Sequence, residues 1–92
     1  MKKFKYEKTW DELEKMIRNT ISVGDEITIY KRSDCDDEYY VLTGSIKVCG
    51  MPAHIYNYKN EYSVYNFDFD KDYFSNYTDD DIVDFIFDEL HQ

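Results

Sequence analysis

Apolar and polar residues alternate along the middle of this chain and recur at helical spacing near its two ends. The first helical pattern opens at Thr9-Trp10-Asp11-Glu12, a capping box with Thr9 at the N-cap and Glu12 three residues on. Trp10, Leu13, Met16 and Ile17 then share one face, which predicts that this face is buried. Asp11 with Lys15, and Glu14 with Arg18, stand four residues apart in the favourable acid-before-base order. Residues 19–24 end the helix, and a short alternation over residues 4–8 predicts an edge strand ahead of it.

Residues 26–31 are rich in β-branched side chains and alternate, as a half-buried strand does. A polar turn over 33–38 leads to a second strand at 39–43. The pattern continues over 45–49, so Gly44 is expected to be a bulge or a close approach. Gly50-Met51-Pro52 breaks it, and residues 54–58 and 62–67 read as a hairpin across Lys59-Asn60-Glu61. After an irregular stretch at 72–77, Thr78 is a good N-cap, and Asp79, Asp80 and Asp81 suit the positive end of a helix. Ile82, Val83, Ile86, Phe87 and Leu90 then recur at helical spacing and should face a core. The expected fold is α+β. An antiparallel sheet of about four strands, or five with the leading one, packs against two helices in the order (β)αββββα, as a single domain over residues 1–92.

Aromatic residues make up 18% of the chain, far more than a disordered acidic tail carries, so the chain folds. It does so at a formal net charge of −9, and residues 68–92 hold nine acids against one base, Lys71, which leaves −8 of the −9 in the last quarter. Direct binding to nucleic acid or to an anionic membrane is disfavoured, because both would repel such a chain. The basic N-terminus is followed by no apolar run, so no signal peptide or membrane span is expected and the chain reads as cytoplasmic. Scarce Ala, Pro, Gly and Arg suggest a low-GC coding sequence, such as that of a bacterium or its phage. For a phage protein the compartment would be the host cytoplasm. Cys35 lies in an acidic loop that disfavours its thiolate, and Cys49 ends an apolar alternation as a small buried residue would.

On a helix from Thr78, Asp80, Asp84 and Asp88 fall one turn apart, at about 6 Å from a rise of roughly 1.5 Å per residue. That interval is similar to the one between phosphates along a nucleic-acid strand. The row is unfavourable for an isolated helix, since like charges at this spacing cost about 0.2–0.5 kcal/mol per pair. One reading is a merely solvated face, and the other is an anionic contact surface. On the second reading the contact residues are Asp68, Asp70, Asp72, Asp79, Asp80, Asp81, Asp84 and Asp88, with Tyr73 and Tyr77 beside them.

In size, acidity and helix–sheet–helix order, with this carboxylate row, the chain resembles the small phage-encoded inhibitors of nucleic-acid enzymes: anti-CRISPR proteins, anti-restriction DNA mimics and the uracil-DNA glycosylase inhibitor. The resemblance implies a partner protein with a basic nucleic-acid-binding groove, a Cas effector or another nuclease, whose groove the carboxylates would occupy in place of phosphates. An immunity or antitoxin protein that plugs a basic toxin nuclease would use the same physics. A third reading is an interaction module whose contact surface is a tyrosine-rich sheet face that includes Tyr56, Tyr58 and Tyr65, with the acidic helix serving solubility.

No nucleophile elbow, phosphate-binding glycine loop or zinc-protease motif is present, and no enzyme activity or cofactor is expected. Asp68-x-Asp70-x-Asp72 with Asp79 resembles positions 1, 3, 5 and 12 of an EF-hand loop. Tyr73 stands where the loop needs glycine, Ser75 replaces the usual aliphatic, and Asp79 is too short for the bidentate glutamate, so a specific calcium site is not expected. His54 reads as structural on its strand, and His91 follows the last helical turn, where a cation suits the dipole.

Overall fold

The computed structural model of the chain describes residues 3–7, 9–34, 38–44, 61–69 and 74–91, the first of these stretches as backbone alone. Thr9 takes an extended conformation and its side chain accepts the Glu12 N–H at 3.3 Å, which starts helix α1 (Trp10–Val23). The helix continues through residues 19–23, expected to lie beyond its end, and stops at Gly24. There a left-handed φ of 65° lets the Gly24 N–H reach the Ile21 carbonyl at 3.1 Å.

Strands β1 (Lys3–Glu7), β2 (Glu26–Arg32), β3 (Tyr39–Thr43) and β4 (Tyr62–Asp68) form one antiparallel sheet in the order β1-β3-β2-β4. Helix α2 (Asp79–Leu90) follows. The α+β class expected from the pattern is therefore the one observed. The expected strands at 45–49 and 54–58 lie outside the described residues. Gly44 closes the β2–β3 ladder, its N–H on the Glu26 carbonyl at 2.9 Å and its φ at 104°.

Alternation along the strands decides which side faces the helices. Ile27 and Ile29 of β2, Tyr39 and Val41 of β3 and Phe67 of β4 pack with Leu13 and Ile17 of α1 and with Ile82, Val83, Ile86 and Leu90 of α2. Phe69 and Phe74 extend this core beyond the end of β4. On the opposite side of the sheet Thr28, Tyr30 and Leu42 are also buried. Phe87, expected in the core, instead lies 38% exposed. It meets the indole of Trp10 edge-on, with ring centroids 4.5 Å apart. Phe85 takes the inward place, in T-shaped contact with Phe67 and Phe74.

Candidate functional site

Helix α2 carries the acidic surface, and the chain secures it at both ends. Thr78 Oγ1 accepts the Asp81 N–H at 3.2 Å while Asp81 Oδ2 accepts the Thr78 N–H at 3.1 Å, a reciprocal capping box. At the other end α2 has no base of its own in its last turn, and the ammonium of Lys31 on β2 donates to the Leu90 carbonyl at 2.5 Å. His91 Nδ1 lies 2.8 Å from the Phe87 carbonyl, with its ring tilted over that of Phe87 at 4.2 Å.

Asp79, Asp80, Asp81, Asp84 and Asp88 are all exposed, and residues 74–91 contain no Lys or Arg. The five do not form a uniform row. Asp80 turns toward α1, where Arg18 Nη2 donates to its Oδ1 at 2.7 Å. That hydrogen bond is the main reason the Arg18 guanidinium is held above its ordinary pKa. Glu14, one turn before Arg18, approaches the same guanidinium at 3.8 Å, so one of the two ion pairs expected along α1 is formed. Asp81 caps its own helix. Asp84 and Asp88 are in no ion pair among the described residues and form the outward anionic face, whereas Asp79 lies about half a turn round the helix from them, on the side where its charge helps raise the Arg18 pKa.

Of the other candidate residues, Asp68 is exposed at the end of β4, opposite Glu26 in the register. Tyr77 is 46% exposed and rests edge-on against Phe74 and Phe85 at 5.3 and 6.3 Å. Asp70, Asp72 and Tyr73 lie outside the described residues, as do Tyr56, Tyr58, His54 and both cysteines. Tyr65 is half-buried against the core.

A second acidic group is not apparent from the sequence pattern. The Arg32 guanidinium, at the end of β2, faces Asp34 at 2.5 Å, Glu38 at 3.0 Å and Glu61 at 3.4 Å. Its hydrogen bond holds the Asp34 carboxyl below the ordinary range. The Tyr62 hydroxyl donates to the same Glu38 carboxylate at 3.3 Å. Three carboxylates on one cation leave this end anionic too. Spacing along the chain is a signal for Asp34 and Glu38, but Glu61 joins through strand pairing.

Between β4 and α2 lies a shallow groove of about 260 Å³, lined by Val64, Tyr65, Asn66, Phe67, Phe85 and Glu89. No protein-family model, curated protein or solved structure matches this chain. Among the described residues, no helix is long and apolar enough to cross a membrane.

Proposed function

We propose that the chain is an acidic inhibitor that binds the basic nucleic-acid groove of another protein, of the anti-CRISPR type, with a Cas effector or a comparable nuclease as the target. The observation that carries this reading is the outward face of α2. Asp84 and Asp88 stand one turn apart, exposed and outside any described ion pair, on a helix without a base. Arg and Lys side chains lining a phosphate-binding groove would meet them in charge-assisted hydrogen bonds, and the net charge of −9 would speed encounter at low salt. Asp68, Asp70, Asp72, Asp79, Asp80, Asp81, Tyr73 and Tyr77 are the further contact residues of this proposal.

The test is capture on the immobilised chain from bacterial lysate at low and high salt, with each captured protein identified and assayed for DNA or RNA binding. The expected result is a nuclease or guide complex that is released by salt and loses nucleic-acid binding in the presence of the chain. Replacement of Asp84 and Asp88 together by Asn should abolish that effect while the fold survives. Capture of a protein without a basic groove, or full inhibition by the double variant, overturns the reading.

A further inference from the structure

The hydrogen-bond register of β4 defines a second contact surface. Ser33 N donates to the Glu61 carbonyl at 2.7 Å, and Phe69 N donates to the Asp25 carbonyl at 3.2 Å, so the β2–β4 ladder is bracketed at residues 61 and 69. In an antiparallel pair the bonded positions alternate. Ser63, Tyr65 and Phe67 therefore face β2 through their backbone, while the N–H and C=O groups of Tyr62, Val64 and Asn66 point away from the sheet. The β2–β3 pair agrees, since Arg32 N donates to Glu38 O and Gly44 N to Glu26 O, which assigns the even-numbered β2 residues to β3. Among the described residues no strand lies beyond β4.

Natural edge strands are usually blunted by proline, lysine, a bulge or very short length. Here β4 is seven residues long, pairs with β2 without a bulge, contains no Pro, Lys or Arg, and leaves Val64 48% exposed. The groove alongside it offers Phe85 as an apolar wall and Glu89 as a carboxylate. We propose that this edge docks an extended, lysine- or arginine-bearing segment of the inhibited protein, which adds to β4 as a further strand; the proposal rests on the inhibitor reading and names the chemistry of its partner. Outward backbone groups at residues 62, 64 and 66 supply the ladder, and a base on the helix side of the incoming strand meets Glu89. Charge selects this occupant. No Lys or Arg occurs in residues 61–69 or 74–91, so a second copy, itself at −9, would set acid against acid.

Val64→Pro tests the ladder. It removes an outward N–H and leaves the bonds to β2 in place, because those belong to residues 63, 65 and 67. The probe is a synthetic eight-residue peptide alternating lysine and valine, titrated into the isotopically labelled full chain, with a glutamate–valine peptide and a lysine–valine peptide N-methylated at alternate residues as controls. The expected result is a set of amide shifts centred on Val64 and Asn66. Affinity should fall at least tenfold in Val64→Pro and with the N-methylated peptide, and the glutamate peptide should not bind. Equal binding by Val64→Pro, or no binding by the wild type, overturns the proposal. Loss of the fold in Val64→Pro does so as well, since the edge would then already be paired within the chain. A Val64→Pro variant that captures a groove protein as strongly as the wild type does removes the edge and leaves the inhibitor reading intact. A wild type that binds the peptide at β4 but captures no such protein removes the inhibitor reading, and with it the identity of the partner.

Discussion

Arg18 and Asp80 are 62 positions apart in sequence and 2.7 Å apart in space, and their contact decides which carboxylates of α2 are available. Both side chains are well exposed, so the pair adds little to stability. Its effect is on charge. Arg18→Ala should free Asp80, strengthen binding to a basic groove and steepen its salt dependence, with the urea midpoint nearly unchanged. Asp80→Asn should weaken binding less than Asp84→Asn or Asp88→Asn. Affinity measured against NaCl for the four variants checks this, and an Asp80 effect equal to that of Asp84 contradicts it.

The hydrophobic centre should respond very differently from the surface. Ile86 is fully buried between the sheet and α1, and Ile86→Ala should cost about 2–5 kcal/mol. Domains of this kind hold roughly 5–15 kcal/mol in all, so the variant should approach the unfolding threshold. Val23, 74% exposed at the end of α1, should tolerate alanine with a change below about 0.5 kcal/mol. Urea denaturation followed by circular dichroism separates the two.

Features written in a few consecutive residues are legible in the amino-acid sequence. Thr9 and Thr78 mark both helix starts because an N-cap and its partner lie within one turn. The buried pairs Leu13–Ile17 and Ile82–Ile86 follow from helical spacing. Phe85 and Phe87 are a different matter. Both are apolar and two positions apart, and α2 touches the sheet on one side and α1 on the other. Periodicity cannot say which ring meets which neighbour. Arg18 with Asp80, Lys31 with Leu90 and Arg32 with Glu61 join distant segments, so no local pattern carries them. The same holds for the sheet order, in which β3 separates β1 from β2.

The two ends of α2 should be separable by mutation. Thr78→Ala removes the reciprocal cap and should cost about 0.5–2 kcal/mol, with Thr78→Ser restoring most of it. Lys31→Met keeps the aliphatic stem but deletes the cation at the Leu90 carbonyl, for a loss of roughly 0.3–1 kcal/mol that shrinks in high salt. The Thr78 effect should be insensitive to salt. Denaturation curves at two ionic strengths give both answers, and a salt-independent Lys31 effect would assign that loss to packing instead.

Tyr62 should make the folded chain sensitive to alkali. Burial, and then the negative charge of Glu38, push its phenol from the ordinary 10.0 up to about 12. The folded state therefore holds this proton more tightly than the unfolded state. The resulting stabilisation is complete below about pH 10, where both states are protonated, and it drains away as pH rises through about 12. Tyr62→Phe abolishes the titration, so the stability difference between wild type and variant should fall over that window and be constant beneath it. Glu38→Gln removes one of these causes and should shift the window to lower pH. Phenolate absorbance, read as the wild-type minus Tyr62→Phe difference, locates the transition directly. A difference curve centred at 10.0 would contradict the upward shift.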